Sequence, residues 1–237
     1  MAGLNKMRVI VSAMNAGKIT AIGRNEAPTG IFKHGIASPW LIAHNGLVGD
    51  HQGDLKHHGG PEKAIHQYPI ESYAAWRAEY PTMQATLDAG CAFGENLCLP
   101  HMSESNVCVG DVFRLGNVML QISQGRQPCF KLNLRFERPD MAWLVQKTGR
   151  TGWYYRVLET GAVDVGTALE LVERPHPKWT IAHLNTLIVS RTLSQNDLSE
   201  MAELRYLSIS WRDLARRRLI SRRVEDWSSR LGHSHEP

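Results

Sequence analysis

The stretch SQGRQPCFKLN, residues 123–133, sets Cys129 behind Pro128 and between two cations, Arg126 and Lys131. Positive charge beside a thiol favours its thiolate, the form that binds a soft metal or attacks as a nucleophile. Pro128 fixes its own φ and removes a backbone donor. The QGR before it reads as a loop leaving a strand, so the thiol is expected at a strand end. The same residues allow a plainer arrangement, a buried thiol beside two surface cations, and this stretch alone leaves both open. Cys91, Cys98 and Cys108 stand among apolar or small residues and lack such a setting.

Residues 47–69, LVGDHQGDLKHHGGPEKAIHQYP, hold four of the 11 histidines, His51, His57, His58 and His66. Their spacing matches no ordinary zinc pattern, and adjacent His57 and His58 would point apart in extended backbone. Gly59 and Gly60 fit another role, since successive glycine N–H groups can converge, and with Lys56 and Lys63 nearby they would hold an oxyanion or phosphate. An ordinary solvated turn is the alternative. FGENL offers a carboxylate and an amide, Glu95 and Asn96, directly after a turn glycine. In TGRTGWYYRV, Arg150 and Arg156 flank an aromatic cluster suited to a barrel core or a cavity wall.

The elements that must position these groups are mostly strands. From about Lys18 to Glu173, short apolar runs are broken by Gly, Pro, Asn and Asp. In NVMLQISQ, Val118, Leu120 and Ile122 alternate with polar or flexible neighbours, predicting one core face and one that faces outward or lines a cavity. Gly110-Asp111 and Gly116-Asn117 are expected turns of an antiparallel meander. Helices are expected at IESYAAWRAEY, stopped by Pro81, and at PDMAWLVQKTG, between Pro139 and Gly149. After ERPHPKW the pattern changes to three short helices, TIAHLNTLIVS, SQNDLSEMAEL and SISWRDLARRRLI, with Ser194 and Ser208 or Ser210 as N-caps. The last would bury Trp211, Leu214, Ala215 and Leu219 and expose Arg212, Arg216 and Arg217. The polar LGHSHEP that follows is expected to fray.

The chain has 237 residues, 43% of them hydrophobic, enough to fill a large core. No run of roughly 18 apolar residues suggests a membrane span, and the short MRVIVSAMNAG makes no convincing signal peptide, so a cytoplasmic protein is expected. Four cysteines without paired spacing point to reduced thiols. Residues 175–237 hold ten of the 27 Lys and Arg against seven of the 23 Asp and Glu, so what basic character the chain has is local.

Taken in order, GLVGD, KHHGGPEKAIHQYP, FGENL, SESNVCVGDVFRLG, QISQGRQPCFKLN and TGRTGWYYRV resemble the MOSC domain, the molybdenum cofactor sulfurase C-terminal type. The likeness to its YiiM subgroup is close. LARRRLISRRVED looks like the three-helix segment that follows the MOSC domain there, whereas the residues before Met7 have no obvious counterpart.

The resemblance implies a mainly β fold: a MOSC-type β-barrel with a few helices over residues 1–174, then a small three-helix domain over 175–237. It implies a molybdenum cofactor of the Mo-molybdopterin type, and Cys129 occupies the position of the family's single protein ligand to molybdenum. A soft thiolate suits a metal that already carries dithiolene sulfur. Lys56, His58, Gly59, Gly60, Asn96, Arg126, Lys131, Asn133 and Arg156 are the residues expected to bind the cofactor. His58 and Glu95 are the expected proton donors. The implied activity is reduction of N-hydroxylated bases such as hydroxylaminopurine, independent of pyridoxal phosphate.

No flavin, haem or iron–sulfur motif is evident in the sequence, so electrons are expected from a separate flavoprotein; the Arg-rich last helix could dock its acidic surface, but a solvated face whose Arg stems cover apolar surface is the preferred reading of that helix. A homodimer is allowed for, and no membrane association is expected. Two rivals remain. One is a sulfur carrier with a persulfide on Cys129. The other is a nucleic-acid-binding module built from the basic helices, disfavoured because their charge excess is slight and Trp211 and Trp227 look like core anchors.

Overall fold

The computed structural model describes residues 7–54 and 58–232. Its main sheet has seven strands, in spatial order Arg8–Ile10, Ala168–Glu173, Val112–Leu115, Val118–Gly125, Trp153–Glu159, Ile65–Pro69 and Leu97–Leu99. All pairings are antiparallel except the last, between Ile65–Pro69 and Leu97–Leu99. The sheet curls into a nearly closed barrel. Just past its two edges, the Asn15 N–H donates to the Asn96 carbonyl at 2.9 Å. A three-stranded sheet of Trp40–Ala43, Gly46–Leu47 and Gly161–Val163 stands beside it.

The expected hairpin forms, with Val112–Leu115 paired to Val118–Gly125 across Gly116 and Asn117. Val118, Leu120 and Ile122 enter the barrel core fully buried. The opposite face departs from expectation: Gln121, Ser123 and Gln124 are buried too, because the C-terminal helices and the segment before Ile65 cover that side. Ser123 Oγ donates to the Glu62 carbonyl at 2.6 Å, and the Ser208 N–H donates to the Ser123 carbonyl at 2.9 Å. At Gly125 the helices come so close that a Cβ would lie 2.7 Å from Asn185 Oδ1 and 3.2 Å from the Trp211 ring. Only glycine lets the strand and the helices meet there. Between Ile122 and Gln124 the register with Trp153–Glu159 shifts, a bulge that bends the strand as it runs towards Cys129.

The expected helices appear as Ile70–Glu79 and Met141–Thr148, then Ile181–Val189, Gln195–Glu203 and Ile209–Ser221. Thr180 and Ser194 cap the first two of the C-terminal three through their hydroxyls, whereas Ser208 sits at the third N-cap without a side-chain cap bond. The change of composition near Pro175 does not divide the core. Ile181, Leu184, Ile188, Leu198, Met201, Trp211 and Leu214 join the barrel's Val118, Leu120 and Phe113 in one cluster. A second cluster, including Tyr68, Tyr73, Trp76 and Phe93, lies under Ile70–Glu79 and Met141–Thr148.

The last long helix keeps part of its pattern: Leu219, expected buried, and Arg212, expected exposed, are both half-buried. Trp211, Leu214 and Ala215 are buried and Arg216 and Arg217 exposed, as expected, but Arg218 is buried as well. Its guanidinium forms a forked ion pair with Glu225 (2.9 and 2.8 Å) and reaches the Leu187 and Ile188 carbonyls at the end of Ile181–Val189 (3.4 and 3.3 Å). The Arg run therefore does not present a continuous basic face. Beyond it a further short helix, Ser228–Leu231, runs into the stretch expected to fray and buries Leu231, the first residue of that stretch; residues 233–237 lie outside the described residues.

Candidate active site

Cys129 follows the strand Val118–Gly125 and precedes the short helix Lys131–Arg135, so it stands in the turn between them. Its carbonyl accepts from the Leu132 N–H at 2.9 Å, and the residue is buried, opening only onto a cavity. Across the thiol stands His58, with Nε2 3.6 Å from Sγ. The strand pattern and the histidine-rich loop thus bring together two groups 71 residues apart.

The cavity wall is predominantly cationic. Arg126, Lys131, Lys63 and Lys33 line it, with Asp50 the acidic group among the described lining residues. Lys131 Nζ donates to the Pro28 carbonyl at 2.7 Å. Arg126 is anchored through its N–H to the Gly152 carbonyl at 3.0 Å, yet Nη1 is buried with no partner among the described residues. A buried donor left unpaired costs about 1–3 kcal/mol, so this nitrogen is poised for an acceptor supplied by a ligand. At Gly30 a Cβ would fall 1.9 Å from the His51 carbonyl oxygen, so two backbone segments of the wall touch only because that residue has no side chain.

Two of the lining residues form a buried ion pair. Lys33 bonds Asp50, with side chains 6% and 2% exposed, and Asp50 also accepts from the Gly17 N–H and Asn96 Nδ2, both at 2.9 Å. Asn96 completes the scaffold by accepting the His66 N–H at 2.9 Å and donating to the Asn15 carbonyl at 3.0 Å. Burial lowers the Lys33 pKa, against the upward pull of Asp50.

Of the three histidines that line the cavity, His58 and His66 have their pKa values lowered and are neutral near pH 7. Burial first, and then Lys131, Arg126 and Lys63, bring the His58 pKa down to about 4, with Asp54 pulling the other way. Burial holds His66 well below the usual imidazole value, helped by Arg126, while its ring packs on Tyr154 with centroids 5.0 Å apart. The unfolded chain takes up protons near pH 6.5 that the folded chain refuses, so folding stability is fully present above that pH and falls as pH drops towards about 4. The expected slope is up to about 1.4 kcal/mol per pH unit for each histidine. Urea midpoints of cofactor-free protein at several pH values between 7.5 and 5 measure it, and a flat series would contradict it.

The expected site residues divide into two groups. Cys129, His58, Asn96, Arg126 and Lys131 share the cavity. Glu95 does not line it: its carboxylate accepts from the Tyr73 hydroxyl and from the Phe93 N–H at 3.1 Å, holding the second core cluster together. Arg156 is engaged by Glu62 and by Gln121 at 2.7 Å, and Asn133 bonds the Leu231 carbonyl at 2.8 Å and the Ala142 N–H at 2.7 Å. Gly59 and Gly60 are also absent from the lining. Gly60, at φ 93°, turns the chain into the 3₁₀ turn Pro61–Lys63, which brings Lys63 to the cavity instead. Lys56 and His57 lie outside the described residues. Lys33, Asp50 and Tyr154 line the cavity although their own residue types and spacing gave them no role. Among the described residues no three His, Cys, Asp or Glu side chains cluster as a metal site.

Residues 54–170 match the model of the MOSC domain, and residues 179–222 match that of the YiiM-like, 3-alpha helix domain. Protein YiiM of Escherichia coli is 38% identical over 215 residues, spanning 91% of this chain and 95% of that protein. The chain belongs to the YiiM-like MOSC family. The crystal structure of E. coli YiiM superposes with a TM-score of 0.80 at 34% identity, covering 95% of this chain and 98% of that one. A protein of Gibberella moniliformis named "Reductase" is 40% identical over 215 residues and 90% of this chain, but the chain spans only 38% of it. For this YiiM-like chain, the family match joins barrel and helices in one architecture. No described helix is long and apolar enough to cross a membrane.

Proposed function

We propose that the chain is a molybdenum cofactor-dependent reductase that converts N-hydroxylated bases, hydroxylaminopurine among them, to amines. The observation that carries this reading is the cavity thiol of Cys129, set 3.6 Å from neutral His58 and beside Arg126, whose buried Nη1 lacks a partner among the described residues. The MOSC family match and the reductase name borne by the fungal relative support it. The donor set fits the group: one soft sulfur for a soft metal, and guanidinium and ammonium donors for a phosphate and other anionic oxygens.

Cys129 would hold the metal, and Arg126, Lys131 and Lys63 the anionic parts of the cofactor. When bound, the cofactor supplies two-electron redox chemistry. The overall reaction takes two electrons and two protons: the N–O bond of R–NHOH breaks, R–NH2 forms, and the oxygen leaves as water. His58 is neutral and offers an imidazole beside the reacting centre through which protons can pass. Glu95, which does not line the cavity, is given no part. The electrons come from a separate flavoprotein, for which exposed Arg216 and Arg217, with Ile220 at 85% exposure nearby, form a docking face for an acidic surface.

Metal and pterin analysis of protein made in a cofactor-competent cell, combined with turnover of hydroxylaminopurine under dithionite, tests the proposal. Molybdenum near one per chain with amine product is expected. Metal-free protein with sulfane sulfur on Cys129 would instead establish the carrier.

A further inference from the structure

The role of the segment after the helix Ile209–Ser221 is visible in what it touches. On one side of Cys129, Arg230 Nη1 donates to the Pro128 carbonyl at 2.7 Å. On the other, the Phe130 N–H donates to the Arg230 carbonyl at 2.7 Å. One residue, a hundred positions downstream, therefore grips the peptide groups on both flanks of the thiol.

That residue is itself held. Arg230 Nη2 donates to Gln146 Oε1 at 2.6 Å, tying the grip to the helix Met141–Thr148. The neighbouring Leu231 carbonyl accepts from Asn133 Nδ2 at 2.8 Å. The guanidinium lies 5.8 Å from the centre of the Trp227 ring, and Trp227 Nε1 donates to Glu225 at 2.8 Å. Glu225 is the partner of buried Arg218. An unbroken series of contacts thus runs from the helical segment, through Arg218, Glu225, Trp227 and Arg230, to the turn that carries Cys129.

We propose that residues 224–232 are a clamp that fixes the Cys129 turn, with Arg230 as its positioning residue. The three C-terminal helices then serve the site by anchoring this clamp. A thiol that must meet a metal at one distance and angle gains from a rigid mount, since placement errors of about 1 Å are costly. Asn133, expected to touch the cofactor, works in the same clamp. The consequence for catalysis rests on the proposed function, but the mechanical claim does not.

The test uses full-length, cofactor-free protein. Arg230→Gln should speed alkylation of Cys129 by iodoacetamide about tenfold at fixed pH, the effect of one net hydrogen bond on a local opening. Hydrogen exchange in residues 127–134 should rise while residues 118–124 of the barrel stay protected. Glu225→Gln, which loosens the anchor without touching the turn, should act in the same direction more weakly, and it carries the test if Arg230→Gln fails to fold. In loaded enzyme kcat should fall with KM little changed. Unchanged alkylation and exchange in both variants would overturn the clamp whatever the activity, as would loss of protection spread evenly over the barrel. Absence of molybdenum with faster alkylation would sink the proposed function and leave the clamp standing.

Discussion

On the proposed function, Cys129→Ser is expected to empty the protein of molybdenum and to lower reduction of N-hydroxylated bases on the order of 100-fold or more, since loss of groups merely supporting a ligand already costs about 10–100-fold. The substitution changes little else. Serine is slightly smaller than cysteine, the residue faces a cavity, and the turn is held by backbone bonds at Pro128 and Phe130 that do not involve the side chain. What is lost is softness: a hydroxyl is a poor partner for a metal already bound by sulfur and stays protonated where a thiol ionises. Metal content, turnover and the thermal midpoint of the variant should be measured together. Loss of metal with an unchanged midpoint is the expected pattern, and full activity with full metal content would end Cys129's assignment as ligand.

Asp50→Ala should cost about 3–5 kcal/mol, the usual penalty for leaving one member of a buried ion pair without the other. Lys33 is then a buried ammonium with its principal counter-charge gone, and burial already pushes its pKa down. The Gly17 N–H and Asn96 Nδ2 lose their acceptor in the same step. Because Asn96 also orients the strand bearing His66, the cavity wall should loosen along with the fold. Urea unfolding at pH 7 measures the loss, and Asp50→Ala combined with Lys33→Met should recover part of it, since removing both charges removes the uncompensated one. A single-variant loss below about 1 kcal/mol would mean that water reaches Lys33 and that the pair does not scaffold the cavity.

Much of this was legible from the sequence because it is local. The alternation of Val118, Leu120 and Ile122, the Gly116-Asn117 turn and the capping Ser194 each act over a few residues, and the structure uses all of them. Cys129 was marked by neighbours two and three positions away, and both cations do line its cavity. What escaped depends on contacts far apart in the chain. Lys33 and Asp50 are 17 residues apart and carry no pattern that reveals their pairing. Glu95 shows the reverse limit: a carboxylate after a turn glycine has the chemistry of a proton donor, but only packing reveals that its bonds go to Tyr73 and Phe93. Arg218 was hidden in a run of three arginines, of which only the third turns inward.

The two bonds from Arg230 to the flanks of Cys129 also impose an order of events in the cell. The thiol leaves the ribosome about a hundred residues before the residue that grips its turn. At usual elongation rates that gap lasts roughly 5–20 s, during which the barrel can collapse while the cysteine turn has nothing to hold it. On the proposed function, a cofactor that needs the finished turn would be inserted only after Arg230 has been made, so loading of the cavity would trail folding of the barrel that contains it.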